Sequence, residues 1–188
     1  MEDFIKAELG QISGNFVKMQ SMVSKISGAV EMCVGALRGG GKIMFCGNGG
    51  SASQSQHLAA ELVGRYKMER SALNSVSLTV DTSILTAVGN DYGYNTIFQR
   101  QVQGIGRAGD VLIGLSTSGN SENVVLAFEA ARSMGIKLIA FTGQKPSRMS
   151  ALADITLDVP SDQTNNIQEM HLAIGHMLCG LVEGAVCK

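Results

Sequence analysis

The amino-acid sequence predicts an α/β fold: a three-layer, doubly wound sheet of five parallel strands in the order 2-1-3-4-5, with extra helices before the first strand. Short apolar runs alternate with helical stretches after residue 40, which is the pattern of parallel strands buried on both faces by helical crossovers. Glycine- and serine-rich turns follow the first and third runs. The 188 residues suit one hydrophobic core, so we expect residues 1–188 to form a single domain.

The N-terminal segment, residues 1–38, is predicted to be helical. Its apolar residues recur at helical spacing, at Ile12, Phe16, Met19, Met22, Val23, Ile26, Val30, Val34 and Leu37. Three glycines after Arg38 end the pattern, which leaves one long helix or two. Each glycine inside the segment weakens an isolated helix by up to about 1 kcal/mol. We therefore expect the segment to depend on packing, including packing against another subunit.

Residues 39–188 are predicted to form the α/β core. We expect its strands at residues 42–46, 75–78, 111–115, 137–141 and 155–159. We expect its helices at residues 51–62, 82–88, 94–103, 121–134, 147–152 and 164–186. In such a sheet the crevice between the first and third strands opens at their carboxyl ends, so the turns after these two strands should line one pocket.

Composition and charge favour a small-molecule ligand. Lys and Arg number 15 against 16 Asp and Glu, a net charge of −1 without a basic block, so we expect neither a nucleic-acid partner nor an anionic membrane surface. The sequence lacks an apolar run of membrane-spanning length, and its N-terminus lacks the apolar stretch of a signal peptide. We therefore expect a cytoplasmic protein whose cysteines are inert thiols, at Cys33, Cys46, Cys179 and Cys187.

The turn after the first strand reads CGNGGS at residues 46–51. It lacks the third glycine of a dinucleotide-binding fingerprint and the Gly-Lys-Ser/Thr ending of a P-loop, so a bound nucleotide is disfavoured. Free backbone N–H groups and serine hydroxyls at the start of a helix suit an anion. The candidate binding residues here are Asn48, Gly49, Gly50 and Ser51, although a plain tight turn is the alternative.

The turn after the third strand reads STSGNS at residues 116–121. We expect one or two of its hydroxyls to cap the following helix. The others are available to donate to the oxygens of a phosphate monoester. The candidate phosphate-binding residues are Ser116, Thr117, Ser118 and Ser121.

Two predicted helices carry groups suited to proton transfer or metal binding. His57 and Glu61 are four positions apart, so they share one helix face. Such pairs are often structural, but this helix begins at the candidate phosphate site. The last helix carries His171 and His176, which point about 140° apart and should not serve the same centre. Spacing alone does not choose between these two histidines.

Taken together, these segments resemble the heptose-phosphate isomerase branch of the sugar isomerase (SIS) family of phosphosugar-binding domains. The likeness is carried by the two turns and by HLAAEL at residues 57–62, GRY at 64–66, NDYG at 90–93 and IQEMH at 167–171. It covers residues 40 to 180, whereas the first 38 residues match mainly in being helical. The resemblance implies the SIS fold and the activity of a phosphosugar aldose-ketose isomerase.

The resemblance also implies a substrate and a setting. The reaction would convert D-sedoheptulose 7-phosphate to D-glycero-D-manno-heptose 7-phosphate through a cis-enediol, at the start of nucleotide-activated heptose synthesis. The sequence does not reveal whether this heptose is used for lipopolysaccharide, capsule or glycoprotein. Members of this branch are typically homotetramers whose sites are built from neighbouring subunits. A homotetramer would give the glycine-containing N-terminal helices a packing partner.

By the same resemblance, one Zn²⁺ per subunit would be held by His57, Glu61, Gln168 and His176. Glu61 and His176 would also form the acid/base pair. Glu61 would take the carbon-bound proton, and His176 would move protons between the two oxygens. Residues around the sugar hydroxyls would be Asn48, Glu61, Asn90, Asp91 and Gln168.

Several alternatives remain open from the sequence. A non-catalytic SIS module, similar to the bacterial initiator-associating protein, would sense phosphosugars or bind protein with the serine turns alone. Asn90 and Asp91 also fit a turn with capping side chains. Arg65 could be a charge at a helix end, an oligomer contact or a substrate contact. His171 could be a packing residue or a surface residue. The sequence does not reveal whether Glu61 and His176 meet within one chain or across chains.

Overall fold

The computed structural model describes residues 1–187. The strands are β1 (Ile43–Gly47), β2 (Ser75–Ser77), β3 (Val111–Leu115), β4 (Lys137–Gly143) and β5 (Ile155–Val159). The helices are α1 (Glu2–Lys18), α2 (Val23–Arg38), α3 (Gly50–Val63), α4 (Thr82–Tyr92), α5 (Ile97–Ile105), α6 (Glu122–Ser133), α7 (Arg148–Leu152) and α8 (Thr164–Val186). Within residues 1–187, no helix combines the length and the apolar character needed to cross a membrane.

The strands form one parallel sheet in the order β2-β1-β3-β4-β5. Ile43 pairs with Val111, Val111 with Lys137, and Ile139 with Ile155. The predicted doubly wound sheet and its strand order are therefore confirmed. The order places the carboxyl ends of β1 and β3 side by side, and α3 and α6 begin beyond them.

The central strands β1, β3 and β4 bury alternate residues on opposite faces of the sheet. In β1, Ile43 and Phe45 join the core formed with α2, α3 and α8, whereas Met44 and Cys46 join the core formed with α5, α6 and α7. Burial on both faces explains why these three strands are mostly apolar, whereas the edge strand β5 alternates apolar and polar residues. It also puts α3 and α8 on the same face of the sheet, which matters for the site described below.

The extra N-terminal helices are present as predicted, joined by a short 3₁₀ segment at Met19–Met22. α2 packs its apolar stripe on the sheet, with Ile26, Val30 and Val34 buried. α1 buries Asn15, whereas its large apolar side chains remain exposed, including Phe4 at 69% and Leu9 at 60%. α1, the first helix of the chain, therefore exposes several large apolar side chains.

Most predicted boundaries lie within two residues of the observed ones, and α4 and α5 differ most from the prediction. α4 continues past the expected end at residue 88 and stops at Tyr92, before Gly93 with φ +89°. A positive φ is a conformation that glycine adopts without strain, and it ends the helix there. Asn90 and Asp91 consequently lie in the last turn of α4 and not in a loop. The predicted helix at 94–103 starts as a 3₁₀ turn, Tyr94–Thr96, and continues as α5.

The cysteines are free thiols, and Cys33, Cys46 and Cys179 are buried. Burial raises the pKa of the Cys46 thiol to about 12 and, with smaller contributions from nearby carboxylates, that of Cys179 to about 12. A thiol with such a pKa is protonated at neutral pH and reacts poorly. For Cys46 and Cys179 this agrees with the expectation of inert thiols, whereas for the half-buried Cys187 that expectation stays a prediction.

Candidate active site

Two histidines and a glutamate from α3 and α8 converge in one cluster. The Nε2 atoms of His57 and His176 are 2.8 Å apart, so one imidazole donates and the other accepts. His57 Nε2 lies 3.4 Å from Oε1 of Glu61, one turn later on α3. One donor atom from each of the three residues lies within 4.8 Å of the other two. Glu61 and His176 therefore meet within one chain, a question that the sequence leaves open.

A glycine on α8 allows the two helices to approach closely at this point. A Cβ at Gly175, the residue before His176, would lie 2.5 Å from Cδ2 of Leu58, the residue after His57. Such a contact is far shorter than any real Cβ contact, so a side chain at 175 would force the helices apart. Gly175, the small residue beside His176, thus allows the close approach of α3 and α8 that brings the two imidazoles together.

The donor set of this cluster fits a zinc ion. Zinc in proteins takes imidazole nitrogens and carboxylate oxygens in a tetrahedral arrangement whose neighbouring ligands are roughly 3.3 Å apart. The separations of 2.8 Å and 3.4 Å within the cluster are close to this value. Three protein ligands leave a fourth position for another side chain, water or substrate.

The side chain of Gln168 on α8, the fourth predicted ligand, lies against the start of α3. A Cβ at Gly50 would be 2.6 Å from Gln168 Nε2, so this amide packs directly on the glycine-rich turn. The main-chain oxygen of Gln168 accepts a hydrogen bond of 2.7 Å from Gln54 Nε2. Gly50 precedes His57 by seven residues, about 10 Å along the helix. The structure thus places Gln168 nearer the predicted sugar-phosphate pocket, and its role as a metal ligand stays a prediction.

Paired amides join the turns after β1 and β3. Asn48 Nδ2 donates to Asn123 Oδ1 at 2.9 Å, and Asn123 Nδ2 donates to Asn48 Oδ1 at 2.8 Å. Tyr94 Oη also donates to Asn48 Oδ1, at 3.1 Å. Asn123 is buried, so this pair holds the two turns in fixed relation. The two turns are therefore neighbours, and a pocket lined by both of them stays a prediction.

The hydroxyls of the turn after β3 are bonded to one another. Ser116 Oγ lies 2.9 Å from Ser121 Oγ and 3.5 Å from Ser118 Oγ, and it accepts from the backbone N–H of Gly119 at 3.2 Å. Ser121 precedes α6 but makes no side-chain cap hydrogen bond. The expectation that one of these hydroxyls caps the helix is therefore wrong. The Ser121 hydroxyl bonds to Ser116 instead, at the positive end of α6, where it can turn toward an anion.

The turn after β1 presents Gly49 and Gly50 immediately before and at the first residue of α3. Gly49 has φ +55°, a conformation that favours glycine. Ser51 is buried. Thr117 and Ser118 face a cavity of ≈ 320 Å³ between the carboxyl ends of β3, β4 and β5, which Lys145 also lines. Every predicted phosphate-binding residue therefore lies at the carboxyl edge of the sheet.

Asn90, Asp91 and Arg65 lie outside this arrangement. Asn90 Nδ2 donates to Asp91 Oδ1 at 2.8 Å, and both side chains are exposed at the end of α4. Arg65 follows the end of α3 and lies 3.7 Å from Glu69, with both side chains exposed. The structure thus leaves these three residues available to contact a substrate or another subunit.

His171 is a core residue. It is fully buried, its Nε2 lies 3.2 Å from the carbonyl oxygen of Thr142, and its ring meets Phe141 edge to face. Burial lowers the pKa of His171 to about 4, although the hydrogen bond to Thr142 partly opposes this shift. His171 and His176 point to different surroundings, as their spacing predicts.

Sequence reasoning assigned no role to two residues of the site. Asn123 directly follows the serine turn, and a polar residue buried in the first turn of a helix is a signal that could have marked it. Tyr66 stacks on the His176 ring, with centroids 5.8 Å apart and planes at 24°. Tyr66 belongs to a motif noted in the sequence, but only the folded chain shows what its ring touches.

Comparisons with known proteins agree with this geometry. The SIS domain family matches residues 10–143. The phosphoheptose isomerase of Akkermansia muciniphila is 58% identical over 183 residues, 97% of each chain. The solved structure of a phosphoheptose isomerase from Neisseria gonorrhoeae is 40% identical, with a TM-score of 0.92 over 97% of this chain and 98% of that one.

A second solved structure, a phosphoheptose isomerase from Francisella tularensis, is 36% identical, with a TM-score of 0.93 and 97% of each chain covered. Similarity of this degree extends over the N-terminal helices as well as the α/β core. Because the matches span nearly the whole chain, the protein belongs to the phosphoheptose isomerase family of SIS domain proteins.

Proposed function

We propose that this chain is an aldose-ketose isomerase that converts D-sedoheptulose 7-phosphate to D-glycero-D-manno-heptose 7-phosphate. The observation that carries the proposal is the cluster of His57, Glu61 and His176, on helices that start at the same sheet edge as the hydroxyl-rich turns. The names of relatives up to 58% identical supply the substrate. A module that only binds phosphosugars would need the turns but not the cluster.

In this proposal the two turns bind the phosphate. The hydroxyls of Ser51, Ser116, Thr117, Ser118 and Ser121 and the backbone N–H groups of Gly49 and Gly50 supply the donors. Binding energy from a phosphate that does not react can position the reacting carbons at the far end of the sugar. Asn48, Asn90, Asp91 and Gln168 would hold the sugar hydroxyls.

We assign the proton transfers to Glu61 and His176. A carboxylate is suited to take the proton from C1 or C2, which produces a cis-enediol, and an imidazole can move a proton between O1 and O2. The donor atoms of both residues lie within 4.8 Å of each other, so the two groups can act on adjacent atoms of one substrate. The same carboxyl group then returns its proton to the neighbouring carbon.

We assign one Zn²⁺ per subunit to the cluster, held by His57, Glu61 and His176 with Gln168 as a fourth candidate ligand. When bound there, the ion would polarise the substrate carbonyl and stabilise the negative charge that develops on its oxygen. The two imidazoles and one carboxylate support this assignment by their chemistry and separations.

We further propose a cytoplasmic homotetramer that supplies heptose for lipopolysaccharide or capsule. The exposed apolar side chains of α1, such as Phe4 and Leu9, support packing of residues 1–38 between subunits. Asn90 and Asp91 are exposed, so they would reach substrate in a site completed by a neighbouring subunit. Size-exclusion chromatography with light scattering tests the assembly.

The test of function is turnover of sedoheptulose 7-phosphate by purified protein before chelation, after chelation and after Zn²⁺ is restored. We expect turnover that is lost on chelation and returns with Zn²⁺. Glu61→Gln should abolish turnover while sugar-phosphate binding, measured by calorimetry, persists. Glu31→Gln, an exposed carboxylate on α2, is the matched control and should match the wild type. Saturable binding without any turnover would instead favour a phosphosugar-sensing module.

A further inference from the structure

A buried ion pair joins the segment after α3 to α8, the helix that carries His176. Arg70 Nε donates to Glu183 Oε1 at 3.1 Å, and the two side chains are 4% and 2% exposed. Glu183 is on α8, seven residues after His176, so the two residues share one face of that helix. Burial by itself would raise the pKa of Glu183, but backbone N–H donors and Arg70 lower it overall. Each oxygen of the Glu183 carboxylate accepts two hydrogen bonds.

The Glu183 carboxylate also holds the loop that follows α3. It accepts hydrogen bonds from the backbone N–H groups of Tyr66 at 3.0 Å, Lys67 at 2.8 Å and Met68 at 3.1 Å. Three such bonds to a buried carboxylate fix the course of this loop against α8. The loop and the helix that carries His176 are thus joined as one unit.

Arg70 extends the same network to the other half of the cluster. Its Nη2 donates to the main-chain oxygen of Glu61 at 2.9 Å, and its Nη1 donates to the main-chain oxygens of Gly64 and Ser71. The carbonyls near the end of a helix lack partners within the helix, and Arg70 supplies one for Glu61. One guanidinium therefore links the backbone of Glu61 to the helix that carries His176.

The network places the Tyr66 ring on His176. The two rings are stacked, with planes at 24° and centroids 5.8 Å apart. The Lys67 ammonium lies 5.0 Å from the centroid of the Tyr66 ring. Gly180 on α8 makes room for the ring. A Cβ there would lie 2.8 Å from Tyr66 Cε1 and 3.1 Å from Cδ1, so the ring keeps its place only because residue 180 has no side chain.

We propose that Tyr66 is a positioning residue, whose ring holds the imidazole of His176 toward His57 and Glu61 and is itself held by Arg70, Glu183 and Gly180. The inference rests on the proposed function of the cluster, because it assigns Tyr66 a role in orienting one of its members. Groups that orient metal ligands change metal affinity or activity by about 10- to 100-fold when they are removed.

Gly180→Ala tests the proposal from the helix side, with Gly184→Ala as its matched control. Both variants place a methyl group on α8 and raise its helix propensity, but a Cβ at Gly184 has nothing within 4 Å. We expect Gly180→Ala to weaken Zn²⁺ binding, measured by competition with a chromogenic chelator, and to lower kcat, each by about 10-fold or more. Gly184→Ala should match the wild type. Equal Zn²⁺ affinity and kcat in both variants would overturn the proposal.

Two substitutions of Tyr66, in the loop after α3, test the same proposal: Tyr66→Leu and Tyr66→Phe. Leu removes the aromatic ring, whereas Phe keeps the ring and removes only the hydroxyl. We expect Tyr66→Leu to lower Zn²⁺ affinity and kcat by about 10- to 100-fold with a much smaller change in KM, and Tyr66→Phe to restore both. A purely structural role would instead change the denaturation midpoint and leave Zn²⁺ affinity and kcat intact.

A crystal structure of metal-free Gly180→Ala separates this inference from the proposed function. We expect the His176 ring to move from His57 by about 1 Å or more, a displacement large enough to impair a catalytic site. An unmoved ring would overturn the positioning role whatever the wild-type activity. If instead the wild type neither binds Zn²⁺ nor isomerises sugar phosphates, the proposed function fails while a displaced ring still supports the role of Tyr66.

Discussion

Acidification should destabilise this protein through His171. The imidazole is fully buried between α8 and β4, and burial lowers its pKa from 6.5 to about 4. At pH values between about 4 and 6.5, His171 is protonated in the unfolded chain but neutral in the folded chain. The free energy of unfolding therefore falls as the pH drops below 6.5, and this loss levels off below pH 4.

The magnitude follows from the difference in pKa. One unit of pKa difference corresponds to about 1.4 kcal/mol, so lowering the pH from about 7.5 to about 5 should remove about 2 kcal/mol through this residue. That amount is a sizeable part of the stability of a single domain, which is about 5–15 kcal/mol. No other histidine needs to be involved in this loss.

Urea unfolding of the wild type and of His171→Gln, at several pH values and one protein concentration, measures this contribution. Gln keeps an N–H donor for the Thr142 carbonyl but does not titrate. His57, His176 and the carboxylates are common to both proteins, so their effects cancel in the difference. We expect the wild type to lose about 2 kcal/mol more than the variant over this range. Parallel pH profiles of the two proteins would refute the argument.

Three further substitutions probe packing and the substrate pocket. Gly114→Ala should lower the free energy of unfolding by about 1–3 kcal/mol, because the added Cβ would lie 2.5 Å from Cε1 of Phe128. An unchanged urea midpoint of unfolding would contradict this packing. Ser116→Ala should raise KM for the sugar phosphate about tenfold by removing one donor to a charged group, and an unaltered KM would exclude Ser116 from the phosphate site. Asn123→Ala removes both amide bonds to Asn48 and should raise KM more than it lowers kcat, whereas wild-type kinetics would show that this pair does not shape the pocket.

Much of the fold could be predicted because the signals are local. The runs of β1, β3 and β4 are mostly apolar, and turns rich in glycine and serine follow β1 and β3. The order of the strands then follows from general rules of parallel sheets. The end of α4 was missed because Gly89 and Asn90 are poor helix formers, whereas the helix continues until Gly93, whose positive φ ends it.

The candidate site was less accessible to sequence reasoning where it depends on tertiary contacts. The spacing of His57 and Glu61 could suggest a shared face, but not that His176 would lie 2.8 Å away. The position of Gln168 against Gly50 depends on how α8 crosses α3. One or two hydroxyls of the turn at residues 116–121 were expected to cap α6, yet Ser121 at the cap position bonds to Ser116 instead. A side-chain hydroxyl in a folded turn has several possible hydrogen-bond partners, and spacing alone does not determine which one it takes.

In the proposed mechanism, Glu61 and His176 move protons on and off adjacent carbon and oxygen atoms of a sugar phosphate. Incubation of the purified protein with sedoheptulose 7-phosphate in D₂O, followed by NMR, tests it most directly. We expect an aldose phosphate with deuterium at C2, and loss of both turnover and exchange in Glu61→Gln. Turnover without any deuterium at carbon, or exchange that persists at the wild-type rate in Glu61→Gln, would contradict the account.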